Sequence, residues 1–317
     1  MKQTFKACGV ATVVLAITAS SPLRAETGRD KDEKKSAPST WRIGTGVSYS
    51  RGDYGDPRDT KVVAAPLSLK YAKGPLSFRI SVPFVHIDGP GSLIQTPEGR
   101  DAGSGSSNSG PGSSNSGSGS SGSGGSGSSG SGSGGSGSGG SNSGGNIAPG
   151  PVVPGSLRRS GFGDVNIAMT YSVGLGADVF VDLTGKVKLP TASQTKRLGT
   201  GKVDVTAGMD LVKDIGDASL YVGGRRRFAG RPTGSAIRDT WGAGGGASYR
   251  ASKSLSIGVD YDWQQSAFQG SGSSSEVTGW ASFRVGPAVR MQVYGGTGFT
   301  TNSADLVGGV ALSWRFK

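Results

Sequence analysis

The strongest constraint on the fold is an alternation of apolar and polar residues that recurs along most of the chain. In the segment VFVDLTGKVKL at 179–189, valine and leucine alternate with aspartate, threonine and lysine. A period of two predicts β-strands with one apolar face and one polar face. Each apolar face covers about 9–11 residues, the length of a tilted transmembrane strand. Because strands of soluble sandwiches average about five or six residues, the pattern favours a membrane barrel.

About twelve such segments predict an all-β fold, a transmembrane antiparallel up-and-down β-barrel. No stretch approaches the roughly 18 consecutive apolar residues of a membrane helix, and a closed barrel is the other structure that satisfies its backbone in lipid. The connections alternate between short turns and longer loops, as periplasmic turns and external loops do in such barrels. The short connections fall at 72–75, 174–177, 214–217, 251–253 and 286–288, and the longer ones at 51–60, 88–160, 190–201, 230–238, 266–275 and 300–304.

Two details conflict with a simple alternation. Pro66 and Pro83 lie inside predicted strands, where each removes a backbone donor, and we expect a local bulge around them. Arg226 breaks the rule that charges share the polar face, and its place near a strand end would let it reach the interface.

The N-terminus predicts export. Lys2 and Lys6 precede the apolar run 9–19, and the small residue Ala25 offers a cleavage site, which is the pattern of a secretory signal peptide over 1–25. Residues 26–40 are then a charged periplasmic leader, and 41–317 form a barrel of the bacterial outer membrane with both termini in the periplasm.

The single cysteine, Cys8, precedes the apolar run and leaves with the signal peptide. The mature chain then has no disulfide, no thiolate metal site and no cysteine nucleophile.

A segment at about 101–146 consists almost entirely of glycine and serine. It has too little apolar surface to offset the entropy of ordering, so we expect a disordered insertion in the second external loop. Either a flexible loop insertion or a brush-like surface segment would fit. Glycine also recurs inside alternating segments such as 241–249, where it indicates bending or close packing.

The charge balance narrows the partners. The net charge is +12, and removal of Lys2, Lys6 and Arg24 with the signal leaves +9. A basic excess suits nucleic acid, anionic lipid or an anionic solute, and export argues against nucleic acid. The remaining partners are outer-membrane lipid and lipopolysaccharide, and a small-molecule solute.

The polar strand faces carry charges of both signs, and such residues set solute selectivity when they line a pore. The alternative is that they pair with each other and fill a closed lumen. The candidate pore-lining residues are Arg79, Lys186, Lys188, Arg225, Arg227, Arg284, Arg290, Asp182, Asp204, Asp260 and Asp262.

Catalysis has little support in the sequence. His86 is the only histidine and follows the apolar face of the third strand. A Ser-His hydrolase would depend on it, and a histidine metal site is not available. We therefore predict no enzyme, no catalytic residues, no metal and no cofactor, with a lipid hydrolase or protease and a structural or surface-interaction barrel as alternatives.

Three stretches carry a family resemblance: GFGDV at 161–165, KLPT at 188–191 and LGTGKVDV at 198–205. Together they resemble the outer-membrane transporter-like family named for the meta pathway of phenol degradation. The resemblance implies a barrel that helps small, often aromatic, compounds to cross the outer membrane, and it supplies no site residues. The expected function is a passive channel or transporter for small solutes, aromatic or anionic in class.

Overall fold

The alternating segments form thirteen antiparallel strands in the computed structural model, which describes residues 39–54, 58–89, 157–233, 235, 237–268 and 271–316. The signal peptide, residues 26–38 of the leader and the glycine–serine segment at 101–146 lie outside the described residues. The strands are β1 (Thr40–Gly52), β2 (Thr60–Lys73), β3 (Leu76–Gly89), β4 (Leu157–Phe162), β5 (Val165–Gly176), β6 (Val179–Leu189), β7 (Asp204–Ile215), β8 (Ala218–Phe228), β9 (Thr240–Tyr249), β10 (Leu255–Gln264), β11 (Ser274–Arg284), β12 (Val289–Gly298) and β13 (Leu306–Phe316).

The sheet closes on itself because β1 pairs with both β2 and β13, and β2 also pairs with β3. Strands β4 and β5 occupy one position in the wall. The first half of β3 pairs with β5 and its second half pairs with β4. The wall therefore has twelve strand positions, which confirms the predicted all-β antiparallel barrel. Within the described ranges, no helix is long and apolar enough to cross a membrane.

The two ends of the barrel differ in their connections. At one end, called the turn end, tight turns join the strands; Ala177 and Asp178 both have positive φ angles, 49° and 57°. Positive φ at both central residues is the turn geometry that matches the right-handed twist of a hairpin. The opposite end, called the loop end, carries the longer connections, including 190–203, 229–239 and 265–273. The predicted alternation of connection lengths is thus present.

The outer face of the wall is apolar and exposed, since Leu67, Met209 and Val222 are each more than half exposed. Two belts of aromatic side chains flank this apolar band, as at the interfaces of membrane barrels. The turn-end belt includes Trp41, Tyr71, Phe78, Tyr171, Tyr249, Trp314 and Phe316, and the loop-end belt includes Phe84, Phe162, Phe228, Trp241, Tyr261 and Phe299. Arg226 stacks over Phe228 and Trp241 in the loop-end belt.

The local bulge expected at the prolines is absent between β2 and β3, and an irregularity of this kind lies on the other side of β3, beside Pro83. Pro66 and Pro83 are direct cross-strand partners, and the β2–β3 register runs from Lys61 to Lys73 without a shift. Pro66 lies at a gap in the β1–β2 ladder, and Pro83 faces the break between β4 and β5, where its carbonyl accepts a bond from Gly163. Each missing donor is therefore placed where the ladder is interrupted, and at Pro83 the opposing chain has one extra residue, since residues 163–165 stand opposite residues 82–83.

Loops fold over the interior at the loop end. Val62 and Ala64 of β2 and Val85 and Ile87 of β3 point inward and are almost fully buried. Tyr54, Ala192, Leu198 and Ala304, which belong to three different loops, complete this apolar cluster. Alternation predicts a single apolar face for each strand, so this inward apolar patch on β2 and β3 is an addition to the prediction.

Interior glycines leave space for aromatic rings on the neighbouring strand. Trp280 pairs directly with Gly258, and Tyr294 pairs with Gly309. A Cβ atom at either glycine would overlap the partner's ring. These two interior glycines therefore serve close packing in the barrel interior.

Candidate functional site

The eleven charged residues singled out from the sequence all alternate to the inward face of the wall. They do not form one ring. On strands β5 to β10 they belong to clusters in which acidic and basic side chains meet. On strands β11 to β13 and β1 to β3 they belong to a region that is mainly basic.

The first cluster joins the three sequence stretches of the family resemblance. Lys188 Nζ lies 2.8 Å from Asp164 Oδ2 and 3.3 Å from Asp204 Oδ2. The other oxygen of Asp164 accepts a 2.9 Å bond from the backbone of Ala192, and Asp204 accepts one from Gly230. The cluster therefore anchors the connections 190–203 and 229–239 to the wall at the loop end.

The second cluster lies between β8 and β10. Arg225 donates two bonds to Asp262, at 2.8 and 2.9 Å, and a third at 3.3 Å to Gln264. Tyr221 donates to Asp260 across the same three strands, nearer the turn end. A bidentate guanidinium–carboxylate pair is strong and directional, and here it spans β9, whose interior residue at the crossing is Gly242. These side chains hold β8 and β10 together across β9.

Asp182 lies near a third group of charges. It pairs across the ladder with Asp210 on β7, and both carboxylates are buried. Lys70 of β2 acts electrostatically on Asp182. Lys186 and Arg227 lie nearer the loop end, each as a cross-strand partner of Thr206. Acidic and basic side chains therefore both face the interior on the strands from β2 to β8.

The turn end has a different character. Arg284 and Arg290 are direct cross-strand partners on β11 and β12. On the neighbouring strands, Arg42 is the direct partner of both Arg315 and Lys70. Lys70 in turn pairs with Arg79, which is the remaining predicted site residue. The positive charges of Arg284, Arg42, Arg315 and Arg250 all act on Arg290. We call Arg42, Arg284, Arg290 and Arg315 the arginine arc.

A tier of buried polar side chains lies next to the arc. Ser282 and Gln292 are cross-strand partners one inward position further into the barrel than Arg284 and Arg290, and both are at most 1% exposed. Within the described part of the chain, Ser282 Oγ, both amide atoms of Gln292 and Trp280 Nε1 have no hydrogen-bond partner. Buried polar atoms normally have partners, so this tier calls for a ligand or ordered water.

Sequence reasoning missed the arc and the tier as units. Arg42 and Arg315 belonged to the polar face without being singled out, and Gln292 and Ser282 carried no signal of their own. Only the strand register brings them together. His86 lies on the exposed outer face of β3, opposite Val63 and Ser160. Among the described residues, no group of three or more histidine, cysteine or acidic side chains could hold a metal ion.

No family model and no curated protein sequence matches the chain. Among solved structures, the fold is similar to that of an outer membrane channel from Pseudomonas putida F1, with a TM-score of 0.52 and 13% identity over 91% of this chain and 100% of that chain. The KdgM porin aligns with a TM-score of 0.47 and 8% identity over 86% of this chain and 99% of that one. The CymD monoaromatic hydrocarbon channel aligns with a TM-score of 0.44 and 11% identity over 88% and 89%. The first similarity supports the barrel fold, and the family suggested by the three stretches stays a prediction.

Proposed function

We propose that the protein is an outer-membrane barrel through which small solutes pass passively. The observation that carries the proposal is the contrast between the two faces of a closed wall. The outer face is apolar and bordered by aromatic belts, whereas the inner face carries glycine, small polar residues and charges. A wall of this kind suits a bilayer, with its apolar outer face toward lipid and its polar inner face toward water.

The proposal includes an orientation. The turn end faces the periplasm and the loop end faces outward, in keeping with the short periplasmic turns of such barrels. Residues 1–25 act as the signal peptide, and the aromatic belts contact membrane lipid and lipopolysaccharide. The similarity to a channel from Pseudomonas putida F1 supports the same compartment.

Reconstitution of the purified full chain tests this function. Heat-dependent gel migration first establishes a folded barrel. Folded protein in planar bilayers is then expected to give discrete conductance steps in KCl, and in liposomes it is expected to admit small sugars. Folded protein that yields neither current nor swelling would contradict the proposal.

A second candidate is a closed barrel with a structural or surface-binding role. The apolar cluster of Val62, Val85, Ile87 and Leu198 favours it, because the cluster packs loops against the wall at the loop end. The same reconstitution separates the two, since a closed barrel folds without conducting. The enzymatic alternative rested on His86, and an His86→Ala variant with unchanged lipase or protease activity would remove that support.

A further inference from the structure

We infer that the arginine arc, together with the tier of Ser282 and Gln292, is a binding site for small carboxylates at the turn end of the barrel. This rests on the proposed function, since it names the class of solute that the channel would select.

The first argument is the arrangement of like charges. Arg284 faces Arg290 directly, and Arg42 has a basic residue on each side of it in the ladder. Like charges directly opposite each other destabilise a sheet. On the other side of the barrel, the basic residues Lys188 and Arg225 each form an ion pair with a carboxylate. Four arginines around one stretch of wall are therefore suited to a polyatomic anion that several guanidinium groups share.

The second argument is independent of charge. Gln292 and Ser282 sit one tier beyond Arg290 and Arg284, and their side-chain polar atoms have no partner among the described residues. The amide and hydroxyl groups are hydrogen-bond donors next to a cationic cluster. Their donors can complete the coordination of a carboxylate that the arginines hold.

Exposure is graded across the site. Arg315 is exposed at the turn end, Arg42, Arg284 and Arg290 are half-buried, and Gln292 is fully buried. An anion that enters from the turn end meets the most solvated arginine first. It loses water progressively as it reaches the tier, where charge-assisted bonds are strongest.

Carboxylate is an anion class that this set of donors fits. A guanidinium group matches the two oxygens of a carboxylate in one plane. Beyond the arginines, Ser282 and Gln292 add two neutral side chains with hydrogen-bond donors on adjacent strands.

The test uses the full chain in planar bilayers, with butyrate as the probe and butyramide as its uncharged counterpart. Wild-type channels are expected to prefer chloride over potassium, from the reversal potential in a KCl gradient. Butyrate added on the turn-end side is expected to block the KCl current, and butyramide is not. Equal permeability to both ions, or equal block by the two probes, would overturn the inference. Block by inorganic phosphate but not by butyrate would overturn the carboxylate assignment.

The variants separate the two parts of the site. In R284Q/R290Q, block by butyrate is expected to weaken about tenfold or more, and the anion preference is expected to fall. In R284K/R290K, the anion preference is expected to persist while the block weakens, because lysine lacks the bidentate fork. In Q292L, the block weakens with the anion preference unchanged. K73Q removes an exposed basic residue at the same end and is the matched control. Wild-type behaviour in R284Q/R290Q would contradict the site.

A binding measurement keeps the site and the channel distinguishable. Saturation-transfer NMR of butyrate with the detergent-solubilised barrel reports binding without any current. Binding that is lost in R284Q/R290Q, in a barrel that does not conduct, supports the site and rejects the channel. Conductance without butyrate binding supports the channel and rejects the site.

Discussion

Lys188 and Asp164 form a 2.8 Å ion pair that ties the end of β6 to the start of β5. Both side chains are largely buried, and Asp164 also accepts a bond from the backbone of Ala192. The pair joins residues of two of the stretches that carried the family resemblance. Their first role is structural, since they hold the connection 190–203 against the barrel.

Asp164→Asn is expected to destabilise the barrel by about 3 kcal/mol, because it leaves a largely buried ammonium with a weaker partner. Urea unfolding in phospholipid vesicles measures this. Asp88→Asn is the control, since Asp88 pairs with the exposed Arg158 and should cost about 0–1 kcal/mol. Equal effects of the two variants would show that the buried pair contributes nothing special.

Gly258→Ala is expected to destabilise the barrel by about 1–3 kcal/mol, because the new methyl group would overlap the ring of Trp280. Near-ultraviolet circular dichroism should report the displaced indole. Gly279→Ala is the matched control on the adjacent strand, since a Cβ there has nothing within 4 Å and the change should stay within about 0.5 kcal/mol. The explanation of the interior glycines fails if both variants behave alike.

Val222→Arg places a charge halfway along β8 on the outer face and is expected to cost about 2–4 kcal/mol in a bilayer. Ile215→Arg places the same charge on the outer face at the turn end and should cost about 0–1 kcal/mol. Unfolding in vesicles compares them. The depth dependence is specific to a membrane, so equal costs would argue against a spanning barrel.

Leu198→Ala removes most of a side chain that is 2% exposed within the loop-end cluster. The cavity is expected to cost about 2–5 kcal/mol and to loosen 190–203 from β2 and β3. Single-channel conductance is expected to rise, because the loosened loop restricts the opening less. Faster cleavage of the loop by protease with an unchanged conductance would show that the loop does not control the passage.

The barrel could be predicted from the sequence because each strand repeats the same period of two. Errors in the description of single strands therefore did not change the predicted fold. Interruptions were harder to see. The break between β4 and β5 at Gly163 is defined by how the two strands pair with β3. The local sequence pattern does not predict it. The inward cluster had a weak signal, since residues 62–66 are apolar on both faces.

The sequence predicted which charged residues face inward. It did not predict which of them lie next to each other. Alternation placed Arg284, Arg290, Asp262 and Arg225 on the inner face. Which charges meet depends on the register accumulated around the whole barrel. Arg225 and Asp262 are two strands apart, and no local pattern links them.

The pairing of Gly89 with Leu157 has a consequence for how this chain can change in length. The two residues that flank residues 90–156 are themselves ladder partners, and the described strands close the wall. Each doubling of such a connection costs only about 0.6 kcal/mol in closure entropy. In the proposed orientation, a foreign domain inserted there would stand on the outer side of the membrane and leave the described ladder intact.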